Sequence, residues 1–228
     1  MLMQTTISTG RSSQTSTGRG APAPASHALS GTIEMMGTAM SYSRDAEIFG
    51  EDEPAEYIYK VIEGAVRSYK VLSDGRRQIQ AFHLPGDMFG LEVGEAHSCS
   101  AEAVANSKVL VIKRSVVTAL AARENDVARQ LWAVTGRELQ RVQDHILLLI
   151  RSAQERVACF LLEMAARIPA GNTVELPMSR QDIADYLALT IETVSRMLTQ
   201  LEHLAAIELP NSRRIVLRNR AALTRLNA

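Results

Sequence analysis

Between Ser179 and Glu202 the chain reads Ser-Arg-Gln-Asp-Ile-Ala-Asp-Tyr-Leu-Ala-Leu-Thr-Ile-Glu-Thr-Val-Ser-Arg-Met-Leu-Thr-Gln-Leu-Glu, a pattern that few local structures satisfy. Ser179 is placed to cap a helix, and Asp182, three residues on, can help satisfy the free N–H groups of its first turn. Ile183, Ala184 and Leu187 then form an apolar stripe at helical spacing. Ala188-Leu189 breaks that pattern, and Thr190 can cap a second helix. In this second helix Val194, Leu198 and Leu201 recur at spacings of four and three, which predicts a core-facing side. Glu192, Ser195, Arg196 and Thr199 fall together on the opposite side. Two short helices, a tight turn and an exposed polar face able to touch bases make a helix-turn-helix, and with it a transcription factor.

The remaining chain must be compatible with that unit. Its 228 residues leave room for two modest domains, and the hydrophobic content suits an ordinary globular core. No apolar run approaches the roughly 20 residues that span a bilayer, so no membrane partner is expected. No hydrophobic leader segment follows Met1, and a cytoplasmic location is the expectation. Lys plus Arg equals Asp plus Glu, so a DNA-binding surface has to be a local patch. From Arg151 onward the basic residues are ten arginines and no lysine against eight acids, a net of about +2. Arginine's planar fork suits phosphate and guanine better than an ammonium does.

In chain order, residues 1–30 are rich in Ser, Thr, Gly, Ala and Pro without hydrophobic period and read as a disordered N-terminal tail. Residues 31–123 read as a β-roll. From Tyr42 on, short β-like runs at 47–49, 56–63, 65–72, 77–84, 88–90, 98–105 and 108–113 are separated by turn signals. Asp74-Gly75 and Pro85-Gly86-Asp87 are the clearest of these. Such spacing suggests a small antiparallel barrel or jelly roll. A short helix near 115–123 leads into residues 124–152, one long helix. Its Leu131, Val134, Leu139, Val142, Ile146 and Leu149 make a near-heptad stripe, read as a homodimer seam. Residues 153–228 hold a further helix ended by Pro169-Ala-Gly171, a short strand at 173–176, the helix pair, and two strands around Pro210-Asn-Ser212. That hairpin converts the unit into a winged helix, with Arg213 and Arg214 placed to face phosphates. The expected class is therefore α+β: β-roll, dimerisation helix, C-terminal winged helix-turn-helix.

The second helix of the pair carries the candidate reading groups. With Thr190 as cap, Glu192 sits at the second helical position and its carboxylate is free to accept from a cytosine amino group. Arg196, one turn on, can donate twice to guanine O6 and N7. The pair could read both halves of one G·C pair while holding each other in position. Ser195 lies between them. Ser179, Arg180, Thr190, Thr193 and Thr199 are expected to touch the DNA backbone or to support these residues.

The stretch Arg180-Gln-Asp-Ile-Ala-Asp-Tyr-Leu with Thr190-Ile-Glu-Thr-Val-Ser-Arg196 resembles the helix-turn-helix of the CRP/FNR superfamily of bacterial regulators. Glu192, Ser195 and Arg196 match the Glu-x-x-Ser-Arg pattern of its FNR branch. Gly64, Asp74-Gly75, Pro85-Gly-Asp87 and Phe89-Gly90 match the spaced glycines of the family's roll, so the resemblance covers roughly residues 40–220. It implies a homodimer that binds double-stranded DNA at a TTGA…TCAA palindrome and recruits RNA polymerase. Two departures bear on cofactors. The N-terminal segment lacks the cysteines that hold the oxygen-sensing iron–sulfur cluster. No arginine occurs between Arg77 and Arg114 to clamp a cyclic phosphate after Phe89-Gly-Leu-Glu92. The combination is most similar to the FixK group, which implies activation of low-oxygen respiration and nitrogen-fixation genes with no bound cofactor. A gating small molecule in the roll is the alternative. Ala188 stands where the family's turn usually has Gly, which implies a strained or differently shaped turn.

An enzymatic reading would make the roll a metal-binding barrel with His83, Glu92 and His97 as ligands. The spacing lacks closely paired histidines, so neither a metal nor catalytic residues are expected, and all five histidines, His27 and His203 included, read as surface residues. Of the two cysteines, Cys99 and Cys159, the second lies in Ala-Cys-Phe-Leu and reads as the more buried.

Overall fold

A computed structural model describes residues 34–168 and 171–226. The expected tail at 1–30 lies outside the described residues, as do Pro169 and Ala170 of the expected helix stop. After a 3₁₀ turn at Glu34–Met36 come eight strands: β1 (Thr38–Tyr42), β2 (Glu47–Phe49), β3 (Tyr57–Glu63), β4 (Val66–Val71), β5 (Arg77–His83), β6 (Met88–Phe89), β7 (Ser100–Ala103) and β8 (Ser107–Lys113). They form two four-stranded antiparallel sheets, ordered β1-β8-β3-β6 and β2-β7-β4-β5, which face each other as the expected roll. The inner faces meet in a cluster of Phe49, Tyr59, Val61, Val66, Phe89, Ala101 and Val109. Strand β1 has no signature in the sequence. Its residues Thr-Ala-Met-Ser-Tyr are mostly exposed, so it is held by its ladder to β8 without a buried face of its own.

Two of the anticipated glycines have physical work to do. Gly75 takes φ +83° in the β4–β5 turn, where Asp74 Oδ1 accepts from the Arg76 N–H at 3.0 Å. At Gly64, with φ +82°, an added Cβ would lie 2.3 Å from Ser107 Oγ and 2.5 Å from the Asn106 carbonyl oxygen, so no side chain fits.

Helix α1 (Arg114–Ala121) turns the chain into the 25-residue α2 (Asn125–Leu149), about 37 Å long at 1.5 Å per residue. The foot of α2 rests on the roll. Val127 is buried with Ile58, Met88, Leu110 and Ile112, and Leu131 and Val134 pack against that cluster. These two expected seam residues are therefore partly consumed inside the chain. Leu139, Val142 and Ile146 are exposed and Leu149 is half-buried.

The C-terminal unit comprises α3 (Ala153–Arg167), β9 (Thr173–Glu175), α4 (Arg180–Leu187), α5 (Ile191–His203), β10 (Ile207–Glu208), β11 (Arg214–Leu217) and α6 (Arg220–Arg225). The three short strands form one sheet ordered β10-β11-β9. The terminal α6 was not anticipated. Its signal is Asn219, whose side chain accepts from the Ala222 N–H at 2.9 Å, and Leu223 is fully buried beneath it. One core joins this unit to the roll: Ile79, Phe82 and Leu84 from the roll share a cluster with Phe160, Leu161, Met164, Tyr186 and Leu187. The domains are thus fused through an apolar seam rather than tethered by a linker.

Candidate nucleic-acid interface

The helix pair forms by the local chemistry that its sequence suggests. Ser179 Oγ accepts from the Asp182 N–H at 3.1 Å, and Asp182 Oδ2 accepts from the Ser179 N–H at 2.9 Å, a reciprocal capping box. Thr190 caps α5 by accepting from the Thr193 N–H at 3.2 Å. Between them Ala188 adopts φ 51°, ψ 47°, the left-handed conformation that glycine usually supplies. A non-glycine residue there costs of order 1 kcal/mol. Ala188→Gly is expected to raise the unfolding free energy by up to about 1 kcal/mol, less the extra entropy that glycine loses on folding. A urea midpoint unchanged or lowered in the variant would show the turn to be unstrained.

Helix α5 divides cleanly. Val194, Met197, Leu198 and Leu201 are buried, while Glu192, Arg196 and Thr199 are exposed and Ser195 is half-exposed. The Glu192 carboxyl is held below its ordinary pKa by its own backbone N–H and then by the Thr190 hydroxyl, so it stays an acceptor. One detail of the expectation is corrected. Among the described residues neither Glu192 nor Arg196 enters an ion pair, so they do not hold each other in place; Glu192 is held by its own N–H and Thr190 instead. Arg180 Nη1 donates to Ser195 Oγ at 3.3 Å, and its Nε is buried without a partner, so Arg180 braces the reading helix from α4. Thr199 donates back to the Ser195 carbonyl at 3.1 Å. The Ser179 hydroxyl is engaged by Asp182 on both its donor and acceptor sides, which makes its role supporting. In the wing, Asn211 Oδ1 accepts from the Arg213 and Arg214 N–H groups at 2.9 and 2.8 Å and shapes the turn that presents both side chains.

What sequence reasoning missed is the seam behind this surface. Asp182, only 2% exposed, is more than a cap. Its Oδ1 accepts from Arg67 of β4 at 2.9 Å and from Arg77 of β5 at 2.7 Å. Arg77 also pairs with Asp185 at 2.8 Å, and Gln78 donates to the Tyr186 carbonyl at 3.3 Å. Burial opposes the Arg67 charge, but Asp182 and then Glu102 outweigh it and raise its pKa. A second knot centres on Asp87 of the Pro-Gly-Asp turn, which accepts from Arg141 of α2 at 2.7 Å and from Arg167 of α3 at 2.6 Å. Burial would raise the Asp87 pKa; Arg167 and Arg141 overcome that and hold it below the usual carboxylate value. Trp132, 82% exposed on α2 and seven residues before Leu139, belongs to the apolar stripe and could have been found from that spacing.

The roll interior departs from expectation in its titratable groups. His83 and His97 are buried, not surface residues. His83 Nε2 lies 3.2 Å from Ser68 Oγ, and burial pushes its pKa down to about 4, keeping it neutral. His97 stacks on Phe49 at 3.6 Å, with Nδ1 3.2 Å from Glu92. His145 is half-buried against Tyr186. Among the described residues no group of three or more His, Cys, Asp or Glu is arranged to hold a metal ion. Cys99, rather than Cys159, is the more buried thiol; burial raises both pKa values, Cys99 to about 11, which disfavours the reactive thiolate. A cavity of about 250 Å³ in the roll is lined by Phe49, His83, Phe89, Glu92, Cys99 and Glu138 among others, with no lysine or arginine in its wall. A larger one, about 600 Å³, opens between β5, α2, α3 and α4. No helix among the described residues is long and apolar enough to cross a membrane.

Comparison with known proteins agrees with this geometry. Residues 39–124 match the cyclic nucleotide-binding domain family and residues 155–226 the Crp-like helix-turn-helix domain family. The nitrogen fixation regulation protein FixK of Azorhizobium caulinodans is 50% identical over 216 residues, covering 92% of this chain and 87% of that protein. FixK of Rhizobium meliloti is 42% identical, covering 82% and 85%. The solved structure of FixK2 from Bradyrhizobium japonicum superposes with a TM-score of 0.81 at 56% identity, covering 84% of this chain and 98% of that one. With a cyclic-nucleotide-binding fold fused to a Crp-like helix-turn-helix, the chain belongs to the CRP/FNR family of transcription regulators, as a FixK-like, DNA-binding activator.

Proposed function

We propose that the chain acts as a homodimer that reads an inverted-repeat operator of the TTGA…TCAA kind and recruits RNA polymerase in the cytoplasm. It would activate genes of low-oxygen respiration and nitrogen fixation with neither cyclic nucleotide nor iron–sulfur cluster. The carrying observation is Glu192, Ser195 and Arg196 together on one face of α5, with Glu192 and Arg196 exposed and outside any ion pair among the described residues, backed by a buried opposite face. The exposed stripe of Trp132, Leu139, Val142 and Ile146 on α2, with Ile150 just past its end, supports the dimer. A two-fold seam along α2 would set the two copies of Arg196 about one DNA turn apart, roughly 34 Å. The roll cavity supports a role without cyclic nucleotide, since Glu92 and Glu138 in its wall would repel a phosphate. The names of the relatives supply the nitrogen-fixation setting.

Roles on the DNA separate by substitution. Arg196→Ala is expected to lose about 1–3 kcal/mol of discrimination at one base pair. Arg213→Ala or Arg214→Ala should weaken all sequences alike and flatten the salt slope by about one unit. Equal effects of both classes on matched and scrambled sites, in titrations at several salt concentrations, would refute the assignment.

The cavity of about 600 Å³ between the roll and the DNA-binding unit favours a second reading, a regulator gated by a small molecule. Extensively dialysed protein that binds its palindrome at full strength rules that reading out.

A further inference from the structure

The joint between α2 and α3 is only three residues long, Ile150 to Ser152, and α3 starts at once with a capping box of Ser152 and Glu155. From the first turn of α3, Arg156 spans this joint in two directions. Its Nε donates back to the Arg151 carbonyl at 2.8 Å, at the end of the long helix. Its Nη1 donates forward to the Leu187 carbonyl at 2.9 Å and to the Ala188 carbonyl at 3.4 Å. These last two oxygens close α4 and begin the turn into the reading helix. They are C-terminal carbonyls without intrahelical partners, at the negative end of a helix dipole, where a cation is favoured. The guanidinium is planar and its donors are fixed relative to one another, so the two sets of carbonyls are held in one geometry.

The other end of α4 is held independently, through Asp182, to Arg67 and Arg77 of the roll. With both ends of α4 pinned, α5 can change its angle to α2 only if one of the braces breaks. Beside the ring contact of His145 with Tyr186, Arg156 is the side chain that hydrogen-bonds both to that turn and to the end of the helix proposed as the two-fold seam.

The geometry points to Arg156 as the positioning residue for half-site spacing: it sets how far apart and at what angle the two reading helices stand, and so which operator spacer the dimer accepts. This rests on the proposed dimeric reading of an inverted repeat. One inserted base pair moves the second half-site by about 3.4 Å and turns it by roughly 34°. A rigid dimer then engages one half-site at a time and loses its avidity, on the order of a hundredfold. A dimer with a loosened joint follows the displaced half-site.

The test uses the full chain with Arg156→Lys and Arg156→Ala. Affinity is measured for the palindrome, for versions with the spacer one base pair longer or shorter, and for a version with one half-site scrambled. Lysine keeps the charge but carries its three donors on one freely rotating nitrogen, without the planar fork that fixes the Arg151 and Leu187 carbonyls in one geometry; it also guards against a misfolded alanine variant. The expected result is a spacer penalty on the order of a hundredfold in the unaltered protein that falls to roughly tenfold or less in Arg156→Lys. Discrimination between intact and scrambled half-sites should persist. A spacer penalty unchanged in the variants, or affinities that fall equally on every DNA, overturns the spacing role and leaves Arg156 merely structural. An unaltered protein that reads half-sites but ignores the spacer overturns it as well. Failure of the unaltered protein to tell palindrome from scrambled DNA sinks the proposed function instead, and this inference falls with it.

Discussion

Asp182→Ala is expected to destabilise the protein by about 3–5 kcal/mol, the range for removing one partner from a buried ion pair. Asp182 Oδ1 is shared by Arg67 and Arg77, and Oδ2 accepts from the Ser179 N–H at 2.9 Å and hydroxyl at 2.7 Å. Alanine removes all four contacts. Arg67, with its side chain 7% exposed, keeps Glu102 and Asp45 but loses its most buried counter-ion. The reciprocal half of the α4 capping box goes too, while Ser179 Oγ still caps the N–H of residue 182. Replacing the three together with Arg67→Met, Arg77→Leu and Asp182→Leu should recover part of the loss, because the buried pairing disappears from both sides while Glu102 and Asp185 lose their arginines. Urea unfolding of the single and triple variants decides the matter. A single variant within about 1 kcal/mol of the parent would mean that the seam is open in solution.

Ile146→Asp is expected to leave the fold intact yet make the protein monomeric. Ile146 is 59% exposed on α2, so a carboxylate there stays in water within one chain, and its folding cost should lie within about 0.5 kcal/mol. Across a two-fold seam two such carboxylates would face each other without partners, and burying them opposes assembly. Affinity for the palindrome should fall by about 10²–10⁴, the gain normally supplied by linking two half-sites. Light scattering gives the mass and DNA titration the affinity. A variant that remains dimeric would place the seam elsewhere on the chain.

The reading helix was legible in the sequence because its determinants are local. A cap needs an oxygen two or three residues from an N–H, and a helix face needs a repeat of three and four. Ser179, Thr190 and the split between Val194, Leu198 and Leu201 and Glu192, Ser195 and Arg196 follow from those distances alone. The left-handed Ala188 was anticipated through the family resemblance, whose turn usually has Gly at that position. The roll was legible through its Asp-Gly and Pro-Gly-Asp turns, except β1, which lacks a buried face to leave a period.

Burial of polar groups was not legible. Asp182 meets Arg67 across 115 residues of chain and Arg77 across 105, and nothing within a few residues of any of them distinguishes this pair from a solvated surface charge. His97 was misread for the same reason, being stacked on Phe49 of a distant strand, and His83 because its neighbours Ser68 and Phe89 close over it only in the folded roll. Cap and period thus determined which residues could face DNA. Only the tertiary structure decided how that face is held against the roll and the long helix, because a charge becomes structural only when distant segments take it out of water.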